Sequence, residues 1–135
     1  MLKPNWKGFF VILTISIITV LLIMSPQILD SYTDIKIIEL LRDNFTDPSY
    51  ENEDKHIVIF ASGRNEKEIL ETLRKIYSVA QKTRRIDNIV AFIENRESKM
   101  LIVSQVGSPE FKRIKWKDIE NYGEFKEKAN VIQTK

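Results

Sequence analysis

A chain of 135 residues with 21 Lys plus Arg against 19 Asp plus Glu carries a formal charge of only +2. The surplus cations, Lys3 and Lys7, precede the first acidic residue, Asp30, so the remainder is formally neutral and offers no global field for nucleic acid. No cysteine is present, which excludes disulfides, a thiolate nucleophile and thiolate metal sites.

Residues 8–24 contain no charged side chain. At about 1.5 Å per residue the run covers roughly 25 Å, and the uncharged Ser25, Pro26, Gln27, Ile28 and Leu29 lengthen it toward a hydrocarbon core of about 30 Å. Trp6 sits at its edge, where an amphipathic ring suits a headgroup zone. Thr14, Ser16 and Thr19 can bond back to helix carbonyls, so they cost little in lipid. The segment before the run has the positive charge of a signal peptide, but no small-x-small cleavage pair follows. The expectation is an uncleaved transmembrane signal-anchor over residues 8–29. A short cytoplasmic tail, 1–7, precedes it, and an exported domain, 30–135, follows. Lys3 and Lys7 before the span outweigh Lys36 and Arg42 after it, where acidic residues dominate, so the N-terminus is placed in the cytoplasm.

Beyond the run, Ile28, Tyr32, Ile35, Ile38, Leu41 and Phe45 recur at helical spacing, which predicts a second helix. Thr46 to Lys55 is polar and reads as a loop. His56 to Ser62 is a short β-branched apolar run, a first strand. Asn65, three residues before Glu68, marks a helix start. The helix is predicted to run to about Arg84, with Ile69, Leu70, Leu73, Ile76, Tyr77 and Ala80 on one face. Ile89 to Ile93 and Met100 to Val106 are strands flanking a polar hairpin tip. Gly107, Ser108 and Pro109 stop the third strand. The region Lys115 to Tyr122 is read as a short helix, and Ala129 to Gln133 as a last short strand or a loose tail. The fold class expected is α+β: an N-terminal transmembrane helix, then a small two-layer helix-on-sheet domain of order α-β-α-β-β with three or four strands. The strand–helix–strand crossover makes the first two strands parallel. The next two form an antiparallel hairpin.

Few residues point to chemistry. His56, the only histidine, stands beside Asp47, Glu51, Glu53 and Asp54, but their spacing fits no metal loop, so no metal is expected. Ser62, Gly63, Arg64 and Asn65 form a turn before a helix and lack the glycines and Lys–Ser/Thr pair of a phosphate loop. Asn44-Phe45-Thr46 matches a glycosylation triplet, a pattern common by chance. Lys112, Arg113, Lys115, Trp116 and Lys117 combine cations with an indole and are the candidate contact for an anionic surface; Lys82, Arg84 and Arg85 form a second basic cluster. Against this, Ile114 and Trp116 also suit the core. The materials of catalysis are missing, with no second histidine, no Gly-x-Ser-x-Gly and no paired carboxylates.

The expected protein is therefore a single-pass, non-catalytic binding module of accessory or scaffold kind, with no catalytic residues and no cofactor. Its expected partners are the lipid bilayer through residues 8–29 and another membrane protein or an anionic wall or lipid surface, but no nucleic acid. The alternative is a secreted small-ligand-binding domain released by signal cleavage.

Overall fold

The computed structural model describes the backbone of residues 6–83 and 86–135, with side chains for all of these but 6 and 21–31. Lys3, Arg84 and Arg85, together with the side chains of Trp6 and Ile28, lie outside the described residues. The chain divides into two compact units, Met1–Tyr32 and Thr33–Lys135.

One helix, α1 (Trp6–Asn44), replaces the two expected; it runs through Pro26 without a break. Thr14, Ser16 and Thr19 do bond back, to the carbonyls of Phe10, Ile12 and Ile15 at 2.8–2.9 Å. Among the described residues, however, no helix is long and apolar enough to cross a membrane. This corrects the expected transmembrane signal-anchor over 8–29, and with it the single-pass topology and the placement of the two ends across a cell membrane. The described residues give a physical reason in composition, because the helix does not stay apolar along its length. The C-terminal third of the same helix carries Asp34, Lys36, Glu39, Arg42 and Asp43.

That last third of α1 is amphipathic, but its buried stripe is rotated from the one expected. Thr33, Ile37, Leu41 and Phe45, spaced four apart, are buried, whereas Tyr32 and Ile35 are exposed. A four-residue spacing keeps one line of a 3.6-residue helix over the sheet.

The sheet has five strands in the order β1 (Thr46–Glu53), β2 (His56–Gly63), β3 (Asn88–Asn95), β4 (Met100–Gly107) and β5 (Ile132–Thr134). The sheet exceeds the expected three or four strands because Thr46–Glu53 is a strand where a loop is expected. β1 is an edge strand with only Tyr50 half-buried, so it shows no apolar alternation. Pro48 is tolerated there because an edge leaves some N–H groups unpaired. Tyr50 holds β1 to α1 by donating to Asp34 Oδ1 at 2.5 Å, and Asn52 Nδ2 donates to the same oxygen at 3.1 Å. β2 and β3 are parallel, joined through α2 (Glu66–Ala80), and β3 with β4 forms the antiparallel hairpin. Both relations agree with the sequence reading. Asn65 caps α2 as expected, accepting from the Glu68 N–H at 2.9 Å.

The core lies on one side of the sheet, under the C-terminal third of α1 and under α2. The buried sheet residues Ile57, Ile59, Ile89, Ala91, Ile93, Ile102 and Val106 alternate with residues on the other face. Gly63 ends this row of β2, and a Cβ there would collide with the buried Ile69 side chain of α2, so glycine sets the closeness of helix and sheet. The segment after β4 forms α3 (Glu110–Arg113), a 3₁₀ turn (Trp116–Asp118) and α4 (Tyr122–Lys128). It delivers Phe111, Trp116 and Phe125 onto Tyr77, with ring centroids 5.1–6.2 Å apart. Inside this cluster the Tyr77 hydroxyl donates to Ser104 Oγ, which donates on to the Ala129 carbonyl, both at 2.7 Å. Burial pushes the Tyr77 phenol well above its usual pKa.

Candidate functional site

The five residues of the candidate basic contact do not form one surface. Trp116 is fully buried, and its Nε1 donates to the Phe111 carbonyl at 3.1 Å, so the indole presents no face to a partner. Its four neighbours are exposed but diverge. Arg113 and Lys115 border a shallow depression with Asp118, Glu124 and Lys128. Lys117 instead lines a groove with Arg74 of α2, whose Nη1 donates to the Lys117 carbonyl at 3.4 Å. The fourth, Lys112, pairs with Asp87 at 3.0 Å.

The Lys112 hydrogen bond is the main cause that holds the Asp87 carboxyl below the usual carboxylate range, with Lys55 and His56 adding to it. A depressed folded pKa gives stability that is present above the unfolded value and lost as pH falls through the folded one. The parent chain is therefore expected to lose stability below about pH 4 more steeply than Asp87→Asn. Urea unfolding at pH 7 and pH 3 reads this, and equal slopes would deny the pair any role in the folded state.

The acidic residues near His56 divide between sites. Glu51 and Glu53 alternate with Asn52 along β1, and Asp54 with Lys55 makes the β1–β2 turn at positive φ. Among the described residues no group of three or more His, Asp or Glu side chains is placed to hold a metal ion. Ser62 to Asn65 is the strand-to-helix turn foreseen; the Gly63 carbonyl accepts from the Arg96 backbone N–H at 2.9 Å and from Arg96 Nε at 3.3 Å.

The most distinctive surface is one the sequence did not announce: the sheet face opposite the core. Its registered row runs Phe60–Phe92–Val103–Ile132 across β2, β3, β4 and β5. Phe60 and Phe92 stack with centroids 5.1 Å apart and planes 12° apart. Phe60 is 47 % exposed and Ile132 60 %. Val58 and Val90, the next pair along, are half-buried on the same face. Singly exposed apolar residues are ordinary, but a row across four strands is a contiguous patch. Glu51 and Glu53 of β1 and Glu94 of β3 border it, and no Lys or Arg stands at a described strand position of this face. The signal for it was available as alternation within each strand, where Phe60, Phe92 and Val103 fall out of phase with the core residues. Only the register, however, aligns them.

No known protein family, curated sequence or solved structure matches this chain.

Proposed function

We propose that this protein is a non-catalytic binding module, of accessory or scaffold kind, whose uncovered sheet face docks a basic amphipathic segment of a partner protein. The Phe60–Phe92–Val103–Ile132 row carries this reading. Aromatic residues at the centre of an apolar patch are the usual anchors of protein interfaces. The charge around the row selects the partner: Glu51, Glu53 and Glu94 favour Lys or Arg opposite them. A second copy docked through the same face would set these carboxylates against one another. An anionic lipid or nucleic acid would meet the same repulsion.

The test uses the full chain and two fluorescent strand-forming peptides, one alternating Lys with Val and one alternating Glu with Val. The Lys–Val peptide is expected to bind, and Phe60→Ser to weaken it at least about tenfold, the loss typical of an aromatic anchor. Phe60→Ser removes a side chain that is half in solvent, so unfolding should change little. Equal binding of both peptides, or binding indifferent to Phe60→Ser, would refute the reading. A concentration-dependent dimer dissolved by Phe60→Ser would assign the face to a second copy instead.

A further inference from the structure

The two basic clusters, Lys82 and Lys117 among their members, are far apart in sequence, yet the fold brings these two lysines into one groove. It lies between the C-terminal third of α1 and α2, has a volume of about 550 Å³, and is remote in character from the acidic sheet face. Arg74, Lys75 and Lys82 line the α2 side, Lys117 of the 3₁₀ turn and Lys36 of α1 complete the cations, and Glu39 and Asp43 stand on α1. Five cations thus face two carboxylates among the described lining residues. Two ion pairs here are loose: Lys36 with Glu39 and Lys75 with Glu71, both at 3.8 Å and exposed. Such pairs contribute little and are readily exchanged for a better partner. Arg74 is braced by its bond to the Lys117 carbonyl, which fixes part of the cationic wall. Lys82 lies just past the end of α2. Between the walls, Leu40 and Val79 form an apolar floor, each half-buried against the core.

We infer that this groove binds an acidic, amphipathic segment of a protein, its apolar side chains on Leu40 and Val79 and its carboxylates toward Arg74, Lys82 and Lys117. The floor decides between anionic ligands. A uniformly charged polyanion would leave Leu40 and Val79 uncovered and would run against Glu39 and Asp43. An amphipathic peptide covers the floor and confines its charge to the α2 side. The inference goes beyond the sheet-face reading, because it concerns another surface and the opposite charge. Together the two surfaces give a scaffold able to hold a basic and an acidic partner at once.

The experiment measures fluorescence anisotropy of a labelled peptide carrying Glu on one helical face and Leu on the other, added to the full chain. The Arg74→Gln/Lys82→Gln double variant keeps most of both apolar stems and alters exposed or half-exposed charge, so unfolding should match the parent. Binding is expected to fall at least tenfold in the double variant, to weaken with added salt, and to be unaffected by Phe60→Ser. Equal affinity of parent and double variant would overturn the inference. So would loss of binding in Phe60→Ser, which would put the peptide on the sheet. Inorganic polyphosphate or phosphatidylglycerol vesicles binding more tightly than the peptide would show that charge alone is read, and would also overturn it.

Discussion

Trp116→Ala is expected to cost about 3–5 kcal/mol of folding stability, the range for emptying a buried aromatic site. The indole is fully buried at the meeting point of three rings. Tyr77 lies 5.1 Å away at 78°, Phe125 5.7 Å at 69° and Phe111 6.0 Å at 38°. The two edge-to-face pairs, with Tyr77 and Phe125, add about 0.5–1.5 kcal/mol each beyond the area they bury. The hydrogen bond matters less. The Phe111 carbonyl also accepts from Gln81 Nε2 at 3.1 Å, so losing the indole N–H does not orphan it. The cost therefore comes from the cavity and the lost ring contacts. Stabilities of small domains are about 5–15 kcal/mol, so the variant should unfold at much lower denaturant. Lys117→Ala next to it is exposed and should change stability by less than about 0.5 kcal/mol. Chemical denaturation of the full chain compares them. A Trp116→Ala loss no larger than that of Lys117→Ala would mean that the 3₁₀ turn does not close the core.

Leu73→Ala is expected to cost about 2–5 kcal/mol by the same cavity mechanism. Leu73 is fully buried in the middle of α2, flanked on its face by Ile69, Leu70, Ile76 and Tyr77. Glu71→Ala on the same helix supplies the control. Its side chain is 45 % exposed, and its pair with Lys75 at 3.8 Å is a loose surface contact. A change below about 0.5 kcal/mol is expected there. Denaturant midpoints of the two variants, read with unchanged m-values, make the comparison. Equal effects would mean that α2 does not lie with this face on the sheet.

The two positions also differ in how they could be foreseen. Leu73 belongs to a helix readable from the chain alone, because its periodicity is strong and its cap, Asn65, is local. The strands β2, β3 and β4 are readable for a similar reason: each is a short β-branched run bounded by polar turns. Their parallel and antiparallel relations follow from connection length. Trp116 was ambiguous. Four cations around one indole suit a surface contact or a core residue snorkelling its neighbours into solvent, and only the packing against Tyr77 and Phe125 separates these. β1 was invisible because an edge strand half in water has no reason to alternate. The membrane expectation rested on an apolar run taken by itself, whereas α1 is a single helix that goes on into a charged, packed segment.

What the sequence by itself determined is therefore local: the start and face of α2, the three inner strands, the neutral charge balance and the exclusion of cysteine chemistry. Tertiary structure decided what depends on register and on the meeting of distant segments. It turned the stripe of α1 toward Ile37 and Leu41, aligned Phe60, Phe92, Val103 and Ile132 into one row, and brought Lys82 to Lys117 across a groove. Periodicity reports which residues share a face of one element. Which faces then meet, and which stay open to a partner, is set by the packing energy of the whole domain, and no window of the chain contains it.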